Sequence, residues 1–303
     1  MIHTVTGPVD AESLGITLPH EHLFINLMRE YRGDGLLNDP DLVEHELRLF
    51  AAQGGRSIID VTSNGLDRDP RALLDAADRT GLNVVMGCGY YRDPYLPADQ
   101  VDETTVDGLS ELIVNDLEVG VDGTGIRAGI IGEVGSDKWF VSAREERSLR
   151  AAGRAQLRTG VAITTHSARW PVGMPQLDIL AEVGVDLRRV VVGHSDSVPD
   201  TDYHLALARR GAYVQFDMLG IYTSEYDQNK RIRYIENLVD AGFDDRILLS
   251  HDICLRGMLT VNGGVGYGHI LKSFVPRMQA AGIADSLIEK FMVHNPAAVL
   301  EPR

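Results

Sequence analysis

The chain has 303 residues, 44% hydrophobic and 24% charged, a balance that fits a soluble globular protein with length for one large barrel or two average domains. Its net charge of −15 repels phosphate backbones and anionic lipid, which excludes nucleic-acid or membrane-surface binding through bulk charge. The two cysteines, Cys88 and Cys254, make no disulfide framework, no basic-then-apolar leader opens the chain, and no apolar run nears the ~18 residues of a membrane span, so a cytoplasmic location is expected.

Along the chain, short apolar runs alternate with longer helical patterns. The runs fall at 15–19, 57–61, 83–87, 128–132, 161–165, 189–193, 212–216 and 246–250. Most are rich in β-branched residues and apolar on both faces, as strands of a buried parallel sheet are. Amphipathic stretches at 40–52, 70–80, 143–158, 174–183 and 202–210 read as helices. The stretch from 23 to 56 holds a loop and then one helix. Gly81, Gly160, Gly184, Gly211 and Gly242 stand where helices end before the next strand. No linker or low-complexity segment marks a boundary. Eight strand–helix repeats in one unbroken chain predict a single (β/α)₈ barrel domain over 1–303. A doubly wound sheet would place a glycine-rich phosphate turn after the first strand, and none is present.

In such a barrel, chemistry sits at the C-terminal ends of the strands. The first run ends in His20-Glu21-His22, the fourth in Glu133, the fifth in His166, the sixth in His194 and the eighth in His251-Asp252. Residues i and i+2 of a strand share a face, so His20 and His22 can both point inward while Glu21 points away. A lone His-x-His is weak evidence, because such pairs are common in cores and on surfaces. Six donors on one rim, His20, His22, Glu133, His166, His194 and Asp252, predict a centre for two divalent ions. Imidazole and carboxylate donors suit Zn²⁺ or another first-row ion. A water held between two such ions is acidified to near neutral pH and becomes a nucleophile, with Asp252 as proton acceptor. His251 is read as a neighbour of the ligands, and Asp196 and Asp217 as partners that orient them.

The segments TVTGPV (4–9), LPHEH (18–22), TTH (164–166), VGHSD (192–196) and LSHD (249–252) resemble the phosphotriesterase family of the amidohydrolase superfamily, and the resemblance runs on to VHNP at 293–296. AGIIGEVG (128–135), GAYVQFD (211–217) and NGGVGY (262–267) are similar to its phosphotriesterase homology protein branch. The resemblance implies that His20, His22 and Asp252 hold the more buried ion and His166 and His194 the more exposed one. It implies a bridging carboxylate at Glu133, where the organophosphate-degrading and lactonase branches carry a carboxylated lysine. It also implies a homodimer.

The loop after the third strand begins GYYRDP (89–94), and Tyr91 resembles a lactonase tyrosine near the substrate carbonyl. Its hydroxyl is a candidate donor to a developing oxyanion. Arg92, Arg169 and Arg256 follow strands three, five and eight and are candidates for holding an anionic group on a small-molecule substrate. The reading is hydrolysis of a carboxylic ester, lactone or amide. The alternatives are phosphoester or phosphotriester hydrolysis, and a catalytically weak ligand-binding protein on the same barrel.

Overall fold

A computed structural model describes residues 1–302. Eight parallel strands run in sequence order around a barrel: β1 (Thr17–Glu21), β2 (Ser57–Asp60), β3 (Asn83–Cys88), β4 (Ile130–Gly135), β5 (Ile163–His166), β6 (Val190–Gly193), β7 (Tyr213–Phe216) and β8 (Ile247–Leu249). The outer helices are α1 (Pro40–Ala52), α2 (Pro70–Thr80), α3 (Val106–Glu118), α4 (Ala143–Thr159), α5 (Gly173–Val183), α6 (Thr201–Arg209) and α7 (Glu225–Asp240). Two further helical stretches, each containing a π turn, follow β8. The segment between β1 and α1 carries a short antiparallel pair, Ile25–Asn26 with Leu36–Leu37.

Local chemistry sets these helix bounds. Asp39 and Asp69 accept from the first free N–H groups of α1 and α2, each followed by proline at the first helical position. Ser142 and Glu145 close a capping box on α4.

The barrel interior has two levels. Its lower level is apolar: Ile59, Val85, Ile130, Val191 and Leu248 meet there, with Ile2, Leu14 and Leu300 closing the bottom. Its upper level holds the candidate ligands. Two departures from regular strand geometry bring side chains to that level. A regular strand would send Ile130 and Glu133 to opposite faces, but the β4–β5 register slips between Ile131 and Val134 and both face inward. Only glycine fits at the slip, since Gly132 has φ 132° and a Cβ there would lie 2.2 Å from the Thr164 carbonyl oxygen. Likewise His194 lies three residues past the inward Val191, and a left-handed φ of 54° turns it back over the rim. Asp252 has φ 57° at the end of the eighth strand.

The seam between β8 and β1 is closed by side chains. The His20 N–H donates to Ser250 Oγ (3.1 Å) and the Asp252 N–H to the His20 carbonyl (3.3 Å). Glu21 faces this seam and is fully buried. Its Oε1 accepts from the Ser250 hydroxyl (2.7 Å), the His251 N–H (2.9 Å) and His251 Nδ1 (2.8 Å), and Oε2 accepts from the Ile253 N–H (3.0 Å). His251 Nε2 accepts from the Ile270 N–H, which fixes the proton on Nδ1. The clamp grips the residues on either side of Asp252. Glu21→Gln keeps the volume but turns an amide N–H against one of these donors. The variant is expected to lose about 1–3 kcal/mol of stability, read as a lower urea midpoint at constant slope. An unchanged midpoint would show that the clamp contributes nothing.

Candidate metal centre

Four imidazoles from three strand ends converge on one carboxylate. Glu133 Oε2 lies 3.4 Å from His20 Nε2, 3.2 Å from His166 Nδ1 and 3.3 Å from His194 Nε2. Its other oxygen, Oε1, lies 3.5 Å from His22 Nε2. Asp252 Oδ1 approaches His22 Nε2 at 3.4 Å and His20 Nε2 at 3.8 Å. Two groupings have the spacing of a metal site, His20–His22–Glu133 and Glu133–His166–His194, and Glu133 belongs to both.

The residues present fit a metal. His20 Nε2 is buried and has no hydrogen-bond partner, so a polar nitrogen is aimed at the centre with nothing in the protein to satisfy it. The far nitrogens of the histidines are held from behind. His22 Nδ1 meets Thr62 Oγ1 at 2.9 Å, and His194 Nδ1 meets Asp217 Oδ1 at 2.8 Å. His20 Nδ1 faces Asp217 Oδ2 at 3.2 Å, and Gln215 donates to that same oxygen at 2.7 Å. Such backing fixes ring orientation and raises ligand basicity. A third grouping, His20–His194–Asp217, uses these rear nitrogens. Nitrogen and carboxylate oxygen donors without thiolate suit Zn²⁺ or a similar ion.

The electrostatics follow from burial and crowding. Burial opposes charge on His22, but the Asp252 hydrogen bond and the Glu133 carboxylate outweigh it and raise its pKa to about 9. Burial also opposes charge on His194, yet Asp217 and Glu133 hold it well above the ordinary imidazole value. His166 goes down to about 4, because burial and the neighbouring His194 charge prevail over Glu133. Burial pushes Glu133 up, but the surrounding imidazoles, His166 and His20 first, hold it well below the usual carboxylate range.

The centre lies at the floor of a pocket of about 900 Å³, part of it open to solvent. Tyr91 lines it, with its hydroxyl 3.2 Å from His166 Nδ1. Burial raises the Tyr91 phenol well above its ordinary value, so it keeps its proton. Arg92 lines the pocket and pairs with Glu30 and Asp137. Arg169 lines it and is exposed. Arg256 is outside the lining: a short helical turn at Arg256–Met258 carries it to a groove beside Leu37 and Leu259. Asp217 backs two of the candidate ligands, His20 and His194, whereas Asp196 pairs with Arg231 at 2.7 Å. Thr62 and Gln215 were not legible in the sequence, since neither stands in a pattern that marks a role. Cys254 also lines the pocket, and both cysteines are free. Among the described residues, no helix is long and apolar enough to cross a membrane.

The phosphotriesterase family model matches residues 1–300. The chain is 37% identical to the phosphotriesterase homology protein of Escherichia coli over 284 residues, covering 93% of this chain and 97% of that protein. It is 31% identical to an N-acetyltaurine hydrolase of Dictyostelium discoideum over 361 aligned positions, covering 99% and 97% of the two chains. The crystal structure of a lactonase from Listeria monocytogenes superposes with a TM-score of 0.94 at 28% identity, covering 100% of this chain and 99% of that one. The family model and these likenesses agree with the fold, and the chain belongs to the phosphotriesterase family.

Proposed function

We propose that the protein is a hydrolase with a binuclear metal centre that cleaves a carboxylic ester, lactone or amide in a small molecule. The observation that carries this reading is the convergence of four imidazoles on both oxygens of Glu133, with His20 Nε2 left without a partner. His20, His22 and Asp252 would hold one ion, His166 and His194 the other, and Glu133 both. Bound there, two divalent ions, Zn²⁺ by donor type, supply acidification of a water and polarisation of the oxygen of the scissile group.

The chain's own residues supply the rest. Asp252 is the one carboxylate of the centre that reaches toward the pocket beyond Glu133, and its Oδ1 faces the histidines. Its other oxygen, 3.9 Å from His194 Nδ1, can take a proton from an attacking water and return it to the leaving group. The Tyr91 hydroxyl holds its proton and can donate to an oxygen that gains charge beside His166. Ile25, Leu27 and Ile221 line the pocket and exclude water from one side of a bound molecule. An N-acetyltaurine hydrolase and a lactonase among the relatives both act on carbonyl compounds, which favours a carbonyl over a phosphoryl centre.

Metal analysis joined to a hydrolysis screen tests this. The purified protein is expected to hold about two equivalents of metal and to cleave one class among lactones, esters and N-acyl amino acids. Chelation should abolish that activity, and Zn²⁺ or Mn²⁺ should restore it. Turnover of phosphotriesters alone would move the reading to phosphoryl chemistry. Neither metal nor activity after metal is added back would leave a binding protein on a family barrel.

A further inference from the structure

We propose that Arg169 forms an anion subsite at the pocket mouth, so that the substrate carries a carboxylate, sulfonate or phosphate a few bonds from the group that is cleaved. This rests on reading the pocket as a hydrolase active site. Three arginines follow barrel strands near the rim, and their surroundings separate them. The Arg92 guanidinium meets both oxygens of Glu30, at 2.7 and 2.6 Å, pairs also with Asp137, and lies over the rings of Tyr91 and Tyr95. Its charge is compensated and its place is in the pocket wall. Arg256 lies in a different groove. Arg169 is exposed, lines the pocket, and has no ion-pair partner among the described residues.

Its backbone is held as well as placed. Arg169 has φ 70°, a left-handed conformation uncommon for a long side chain. Its N–H donates to Ser197 Oγ at 2.7 Å, and the Ser197 hydroxyl donates to the His194 carbonyl at 2.7 Å. Thus Arg169 leaves the strand that carries His166 and is tied to the strand that carries His194. A conformation the chain seldom adopts, fixed between two candidate ligands, is the kind of feature that clusters at functional sites.

Charge gives the arrangement a use. A chain of net charge −15 repels a diffusing anion. A guanidinium without an ion-pair partner at the mouth gives such an anion a cation to meet, and its planar fork matches two oxygens of an oxyanion. Arg169 stands three residues past His166, and three extended residues span at most about 11 Å. Its side chain and the candidate ligands line one pocket, so an anion held by the guanidinium lies in the cavity that opens on the centre.

Mono-4-nitrophenyl esters of succinate, glutarate and adipate, each compared with its neutral methyl diester, test the metal-loaded protein and its R169M and R169K variants. Calorimetry with glutarate reads binding without turnover. The wild type is expected to prefer the free-acid ester at one chain length. R169M should cut that preference about tenfold or more, through KM, and weaken glutarate binding similarly, with part of both regained in R169K. Turnover with no acid preference, or with a preference and a glutarate affinity that R169M leaves unchanged, overturns the subsite and keeps the hydrolase. No turnover of any ester, with glutarate still tenfold weaker on R169M, keeps the subsite and removes the hydrolase reading. No turnover and equal glutarate affinities remove both.

Discussion

Glu133→Gln is expected to drop the metal content from about two equivalents to one or fewer and to lower kcat by more than a hundredfold, with the barrel still folded. The substitution preserves shape and removes one charge and one ligand atom. In the native chain both oxygens of Glu133 are engaged, Oε1 facing His22 and Oε2 facing His20, His166 and His194. A glutamine keeps one oxygen, and its amide nitrogen cannot ligate a cation. It is also neutral at a place where the surrounding imidazoles hold the carboxyl ionised. Loss of groups that only orient a metal ligand typically costs about 10–100-fold in affinity or activity, so loss of a bridging ligand should exceed that. Metal analysis of wild type and variant side by side, with circular dichroism as the control for folding, reads both effects. Two full equivalents and an unchanged kcat would falsify the placing of Glu133 at the centre.

The parts of this molecule that the sequence disclosed are those where a local signal and a buried role coincide. Short apolar runs, most of them rich in β-branched residues, locate all eight strands. Proline-led or serine-led starts fix α1, α2 and α4 to within a residue, because their caps are local chemistry. The candidate ligands were legible because they end apolar runs. Several strands run further than those runs. The fourth continues to Gly135 and the fifth to His166, since backbone pairing persists through polar residues whose side chains are satisfied inside the barrel. The slip at Gly132 was invisible: a glycine in an apolar run does not announce that the strand changes phase. Thr62, Gln215 and the clamp by Glu21 were equally hidden. They act across strands distant in sequence, with Glu21 meeting residues 229 to 232 positions away. For the arginines, the sequence supplied three equivalent candidates. Only the positions of Glu30 and Asp137 distinguish a compensated Arg92 from an open Arg169.

Acid is expected to strip the metal, with apparent affinity falling by about one to two decades per pH unit between pH 8.5 and 6. A proton and a divalent ion compete for the same imidazole lone pair, and each displaced proton contributes about one decade per unit. In the metal-free protein Asp252 and Glu133 raise His22 to about 9 against burial, and Asp217 and Glu133 hold His194 well above the ordinary imidazole value. Through that window His22 carries a proton that binding must expel, and His194, raised in the same direction, adds a second toward the acid end, so raising the pH tightens binding. His166, lowered to about 4, and Glu133, held below the carboxylate range, are already deprotonated there and add no slope. Stability follows the same sign. At fixed free metal, the rise in Tm over the metal-free protein should shrink as pH falls, because binding to the native state stabilises by RT ln(1 + [L]/Kd). Competition with a chelator of known affinity measures the slope, and His22→Ala should lower it by about one decade per unit while losing one ion. An affinity flat from pH 6 to 8.5 would mean that the histidines shed no protons on binding, and the ligand assignment would fail with it.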